Sequence, residues 1–201
     1  GYPIRPDFQS IFVNGGNDIE QLPEGMNEKK EGEKWIGIAP FAAHKGKTYP
    51  KEKMEEVIRL LSTQHDHIKL FLFGGGREEK EILKSWEEKY EHCICASSAL
   101  HGLSEELILM SHLEAMISMD SANMHLASLV GTRVISIWGA THPFCGFFGW
   151  NQDKEDAVQN NKLSCRPCSV FGNQPCHRKD FACMNSIEPS EIVSRLKLSK
   201  S

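Results

Sequence analysis

Four short segments combine small residues with groups able to hold an anion or move a proton. Pro40-Phe41-Ala42-Ala43-His44-Lys45-Gly46-Lys47-Thr48-Tyr49-Pro50 carries Lys45 and Lys47, and Gly74-Gly75-Gly76-Arg77-Glu78 is a glycine turn running into charge. Asp120-Ser121-Ala122-Asn123-Met124-His125 places a carboxylate, a hydroxyl and an imidazole close together, and Gly139-Ala140-Thr141-His142-Pro143 adds another hydroxyl and histidine. Brought together, they describe a phosphate or nucleotide site. Glycine lets backbone approach a ligand closely, lysine neutralises charge, and the open N–H groups of a helix start bind anionic oxygens.

Each feature also has a plainer role. The glycine run is not G-x-G-x-x-G, because Glu79 occupies the last position, and no Walker A sequence occurs. Ser121 is a natural helix N-cap, Asp120 can pair with a lysine, and His125 can be a satisfied core histidine. A carboxylate such as Asp120 faces a pyrophosphate only where a cation or sugar hydroxyls intervene. His65-Asp66-His67 reads as a solvated helix-to-strand loop.

The four segments follow apolar runs, which explains how they converge. Trp35 to Ala39, Ile68 to Phe73, Cys93 to Ala96, Ala115 to Met119 and Val134 to Trp138 read as short strands buried on both faces. Between them lie helical patterns. Met54, Val57, Ile58 and Leu61 recur at helical spacing behind Pro50, and Ile82, Leu83, Trp86 and Tyr90 mark a second face. Ser104 is placed to cap a third helix, with Glu105 and Glu106 in its first turn and Leu103 and Ile108 as a staple. Ala122 to Val130 forms a fourth, and a last helix starts near Pro189 with Ile192, Val193 and Leu196 on one face. The alternation predicts an α/β fold, a Rossmann-like parallel sheet of about five strands with helices on both faces. Ligands of such sheets bind at the carboxyl ends of the strands, where the four segments lie. Residues 1–33, with Asn14-Gly15-Gly16-Asn17 and the charged run Glu28 to Glu33, read as a linker or leading arm with little core, ahead of a domain over 34–201.

Composition narrows the function classes. The 201 residues are 40% hydrophobic and 25% charged, with net charge -4, which favours neither nucleic acid nor an anionic membrane as partner. The longest apolar-leaning stretch, Ala115 to Ala140, is interrupted by Asp120 and Arg133, and no secretory leader pattern opens the sequence. The sequence starts on Gly1 rather than Met, as a piece of a longer chain would. Seven cysteines without a leader point to reduced thiols in a cytosolic setting. Four of them, Cys165, Cys168, Cys176 and Cys183, crowd together; Cys165-x2-Cys168 has zinc-knuckle spacing, while the second pair is looser than usual. Packed reduced thiols are the alternative to zinc. Arg166, His177, Arg178 and Lys179 make this loop basic, without the aromatic residues of a nucleic-acid finger.

The run from Asp120-Ser121-Ala122-Asn123-Met124-His125-Leu126-Ala127 through Gly131 to Trp138-Gly139-Ala140-Thr141-His142-Pro143 resembles the D-[ST]-G-x-x-H-L-A-x-x-x-G-x-P-x-x-x-x-[FW]-G-x-T-x-P signature of the ADP-heptose:lipopolysaccharide heptosyltransferases, glycosyltransferase family 9. Ile36 to Pro50 is similar to that family's I-G-x-x-P-x-A-x-x-x-K-x-[WY]-P segment, and the likeness spans about residues 34–197, the cysteine segment included. The resemblance implies the donor-binding, C-terminal half of a GT-B glycosyltransferase. It implies transfer of heptose or a related sugar, ADP-heptose foremost, to lipopolysaccharide core or a related saccharide.

It further implies Lys47 and Asp120 as catalytic residues and Lys47, Glu78, Asp120, Ser121, Ala122 and His125 as donor contacts, with no metal and no cofactor. The saccharide-lipid acceptor and the catalytic base would belong to an N-terminal domain outside this sequence, so that this chain alone would not turn over. A cytoplasmic location follows, with peripheral association at the inner membrane face. Ala122 stands where the family has glycine, Ala42 and Ala43 where hydroxyls assist, and Arg133 replaces a frequent proline, a change that looks structurally neutral. No D-x-D occurs, which argues against a metal-dependent glycosyltransferase of the other common architecture. Two rival classes remain: a non-catalytic nucleotide-binding module, and a zinc-stabilised interaction domain.

Overall fold

The computed structural model describes residues 7–65 and 67–198. Six parallel strands form one sheet: β1 (Lys34–Ala39), β2 (Ile68–Leu72), β3 (Cys93–Ile94), β4 (Ala115–Met119), β5 (Val134–Trp138) and β6 (Ala157–Gln159). Their spatial order is β3-β2-β1-β4-β5-β6, all neighbours parallel. The order reverses between β1 and β4, where Ile36 faces Ala115 and Ala39 faces Ser118. In open parallel sheets this reversal leaves a crevice beyond the carboxyl ends of the two strands, because their following connections depart to opposite sides.

The strands are apolar along their length because both sheet faces are covered. Ile36, Ile38, Leu70, Leu72, Ile117 and Ile135 pack under α1 (Lys51–Gln64), α2 (Arg77–Lys89) and α7 (Pro189–Arg195), which follows the short α6 (Ala182–Asn185). Trp35, Phe71, Met116, Val134 and Trp138 pack on the other face, against α4 (Leu103–Ser111) and α5 (Ala122–Leu129), which follow the short α3 (Ala96–Ala99). In α1 the buried residues are Met54, Val57, Ile58 and Leu61, one stripe at helical spacing, and Pro50 is its N-cap.

The sixth strand goes beyond the five expected. It holds only three residues in a polar stretch, and only Val158 is buried, so it carries little hydrophobic signal. Its anchor is electrostatic. Arg133 makes a two-pronged bond to Asp156, Nε to Oδ2 at 2.7 Å and Nη2 to Oδ1 at 2.6 Å, while Nη2 also donates to the Arg195 carbonyl. Arg133 is therefore not a neutral replacement for proline: it ties β5 to the segment before β6 and to α7.

Three further expectations are corrected. The leading segment has core of its own, since Leu22 and Met26 are buried on the second sheet face and Lys69 Nζ donates to the Gly25 carbonyl at 2.6 Å. Helix α4 starts two residues earlier than read, with Gly102 as N-cap at φ 118, so Ser104 lies inside it and Leu103 stays exposed rather than stapling. Glu105 instead reaches back to the His101 N–H at 2.8 Å. Asp66 lies outside the described residues, but its neighbour His65 is buried, and among the described residues its Nδ1 has no partner.

Burial, followed by repulsion from His67 and Lys34, holds the His65 imidazole below its ordinary value. The unfolded chain therefore takes up this proton more readily, near pH 6.5, than the folded one does. Its contribution to stability is full above that pH and declines as pH falls through the lower folded value. Replacing His65 by Leu should flatten the dependence of the unfolding free energy on pH between about 7 and 5, measured by urea denaturation. An unchanged slope would rule this out.

A candidate donor site at the strand ends

The crevice between β1 and β4 is a cleft of about 530 Å³. That is a usual volume for a ligand site. The loop after β1 contributes Phe41, Ala42, Ala43 and Lys47; the turn after β2 contributes Gly74 and Gly75; β4 runs out into Asp120, Ser121, Ala122 and Asn123, with His125 one turn on. Glu79 and Phe147 complete the wall. A cavity of similar size, about 520 Å³, lies between α1 and α7, away from the strand ends. Among the described residues its lining is mixed, with Lys197 its one charged side chain.

At the centre Lys47 Nζ lies 2.9 Å from Asp120 Oδ2, with the carboxylate 3% exposed. The same oxygen accepts the Thr141 hydroxyl at 2.7 Å. Among the described residues no hydrogen bond reaches Asp120 Oδ1, and Asp120 is the only ion-pair partner of Lys47. The cation expected between Asp120 and an anionic ligand is therefore built into the fold, with donor capacity on Nζ left for a second partner.

Lys47 is held by close backbone approach. A Cβ on Gly46 would come within 2.7 Å of Ala140 Cβ, and one on Gly172, which sits at φ 73, within 2.6 Å of Lys47 Cγ. Gly46 also accepts the Ala140 N–H at 2.8 Å. These two glycines allow the Lys47 loop, the end of β5 and the cysteine segment to meet.

Ser121 occupies the N-cap position of α5 but makes no capping hydrogen bond. Its hydroxyl lies 3.3 Å from Ser118 Oγ instead. The first-turn N–H groups of α5 thus have no side-chain cap beside Lys47, which adds the positive end of a helix dipole to the cleft. His125 is exposed at the rim, as is Ala122.

The acidic residue of the glycine turn is not the one expected. Glu78 is exposed and does not line the cleft, whereas Glu79 does and accepts the Gly75 N–H at 2.7 Å. With Gly76 as N-cap, Glu79 is the third residue of α2, the position from which a glutamate bends back to the preceding backbone. Placing the cap at Gly76 would have identified it from sequence.

The cysteine segment does not gather a metal site: among the described residues no group of three or more His, Cys, Asp or Glu is arranged to hold an ion. Cys168 Sγ donates to the Cys165 carbonyl at 3.2 Å, and burial raises the Cys168 and Cys183 thiols above their ordinary range. Arg166, read from sequence only as part of a basic loop, organises this region. It donates to the carbonyls of Gly139, Asn160 (2.9 Å), Trp138 (3.2 Å) and Thr141 (2.9 Å) and to Gln159 Oε1 (3.1 Å). The end of β5 and β6 are thus fastened to the segment that packs on Lys47.

The sequence model of glycosyltransferase family 9 (heptosyltransferase) matches residues 17–176. The chain belongs to this family. Among relatives, it is 24% identical over 176 residues to lipooligosaccharide heptosyltransferase 2 of Campylobacter jejuni, covering 84% of this chain and 51% of the relative. It is 25% identical over 185 residues to lipopolysaccharide heptosyltransferase 1 of Campylobacter coli, covering 89% and 51%. The chain thus spans about half the length of the curated relatives it matches.

Two solved structures share its fold. The family 9 glycosyltransferase of Veillonella parvula superposes with TM-score 0.61 at 17% identity, over 84% of this chain and 46% of that one. The E. coli heptosyltransferase WaaC with ADP gives 0.57 at 17% identity, over 89% and 47%. The family-9 match begins inside the leading segment at residue 17, in keeping with the burial of Leu22 and Met26. Among the described residues no helix is long and apolar enough to cross a membrane.

Proposed function

We propose that this chain is the donor-binding half of a heptosyltransferase, and that the cleft between β1 and β4 holds ADP-heptose for transfer to lipopolysaccharide core or a related saccharide. The observation that carries the reading is the Lys47–Asp120 pair beside the uncapped start of α5 in a family 9 chain. The relatives are named as heptosyltransferases, and structural neighbours are described with ADP and with ADP-2-deoxy-2-fluoro heptose.

In this reading Lys47 and the first-turn N–H groups of α5 bind the diphosphate, with Ser121 beside them. Asp120 Oδ1 accepts hydroxyls of the sugar. Glu79 takes the role assigned by resemblance to Glu78, accepting ribose hydroxyls, while Phe41 and Phe147 offer apolar surface to the base. His125 and Ala122 border the sugar side. As the bond from sugar to diphosphate breaks, negative charge grows on the leaving phosphate. Fixed donors in a water-poor cleft stabilise that charge without reorganising, which is where Lys47 serves the reaction.

The base that activates the acceptor hydroxyl, and the saccharide-lipid acceptor itself, belong to a second domain opposite this cleft, so the chain by itself binds donor without turnover. The whole enzyme would work on the cytoplasmic side, at the membrane face where a lipid-linked acceptor is presented.

The test is an equilibrium titration with ADP and ADP-heptose, on the protein and on Asp120→Asn. The variant keeps the shape of the side chain and removes its charge, so ADP binding should hold or tighten slightly, while the ADP-heptose advantage falls by about tenfold, roughly 1.4 kcal/mol. A protein that binds neither ligand overturns the proposal, as does an Asp120→Asn variant that loses ADP and ADP-heptose equally.

A further inference from the structure

Asp120 is restrained by two donors on one oxygen, and the second, Thr141, has no role in the reading above. Thr141 is fully buried. Its carbonyl accepts Arg166 Nη2 at 2.9 Å, and its Cγ2 lies against Gly172, where a Cβ would come within 3.2 Å. A β-branched side chain is stiff at χ1, so with the backbone clamped and the methyl seated, the hydroxyl has one direction available, onto Asp120 Oδ2 at 2.7 Å.

A carboxylate bound only by a lysine can turn about its own χ2, because ammonium is a flexible point charge without directional demand. The second, rigid donor removes that freedom. We infer that Thr141 is a positioning residue for the sugar half of the donor: it holds Asp120 so that Oδ2 stays on Lys47 and Oδ1 faces the cleft. This rests on the donor reading proposed above. It separates two functions within one carboxylate, one oxygen neutralised by the protein and the other kept for ligand. It also gives the cysteine segment a part in donor recognition, since Arg166 and Gly172 both set where Thr141 stands.

Titration of the protein, Thr141→Val, Thr141→Ser, Asp120→Asn and the Thr141→Val/Asp120→Asn double variant with ADP and ADP-heptose tests the inference. Thr141→Val keeps the shape and removes the donor. It should lower ADP-heptose affinity about tenfold and ADP affinity less than about twofold. Thr141→Ser retains the hydroxyl and should stay within about threefold of the parent for both ligands. The double variant should match Asp120→Asn alone, because the two residues act through one carboxylate.

Thr141→Val binding both ligands like the parent would overturn the inference. So would equal loss of both ligands, or a loss that adds fully to that of Asp120→Asn. Should Thr141→Val not fold, Thr141→Ala carries the same comparison. A parent protein that binds neither ligand would instead sink the donor reading, a failure distinguishable from all of these.

Discussion

Lys47→Ala is expected to weaken ADP binding by about 3–4 kcal/mol, a loss of several hundred-fold. Two effects add. Charge-assisted hydrogen bonds to phosphate oxygens disappear, each worth roughly 1.5–3 kcal/mol. The Asp120 carboxylate, 3% exposed and 2.9 Å from the lysine, also loses its counter-ion and faces an incoming diphosphate of like charge. The second effect makes the prediction specific: Asp120→Asn combined with Lys47→Ala should bind ADP better than Lys47→Ala alone. An ordinary surface lysine would show neither the size nor the recovery. Isothermal titration of the parent and the two variants checks it, and a loss below about fivefold for Lys47→Ala would contradict the assigned role.

Arg166→Met should destabilise the fold by about 3–5 kcal/mol, because it strands several acceptors at once in a partly water-free region. Among the described residues the guanidinium has no carboxylate partner; its donors end on four backbone carbonyls and one side-chain amide. Burial pushes its proton affinity down, with the neighbouring thiols of Cys183, Cys168 and Cys165 opposing that shift. The side chain nevertheless stays charged at any ordinary pH, so the effect of its removal should not depend on pH near neutrality. For a chain of this length each kcal/mol moves the melting temperature by roughly 2–4 °C, which places the expected drop near 10 °C or more. Arg166→Lys should recover little, since a lysine has no planar fork to span carbonyls from residues 138 to 160. Calorimetric melting of the two variants measures this; a change below about 2 °C would show that the fork is dispensable.

The parallel sheet was legible because strands buried on both faces read as continuous apolar runs, and helices between them show their inner stripe. Five strands followed from that signal. The sixth did not, since Ala157-Val158-Gln159 is held by the Arg133–Asp156 bond 23 residues apart rather than by apolar burial. Buried Leu22 and Met26 were hidden by the polar residues around them.

At the site, Lys47, Asp120, Ser121 and His125 were recognisable by residue type at strand ends, and all four line the cleft with Ala122. Glu79 lines the cleft where Glu78 does not, and placing it needed the helix cap and not merely the glycine run. Arg166 carries no local signal of its contacts, and Thr141, although recognisable as a hydroxyl at a strand end, carries none that points to Asp120. Their roles lie in backbone carbonyls and a carboxylate brought near by the fold, and hydrogen bonds between distant segments leave no periodicity in a sequence.

Whether the β1–β4 crevice is a nucleotide-diphosphate site can be read from amide chemical-shift mapping of isotope-labelled protein during ADP addition. The largest shifts should fall on the N–H groups of Ala122, Asn123 and Met124 at the start of α5, with Gly46, Lys47, Gly74 and Gly75 following in the same saturable titration. UDP and GDP should need higher concentrations. Shifts clustered instead around Leu60, His65 and Val193 in the α1–α7 cavity, or no saturable change at the start of α5, would contradict the account.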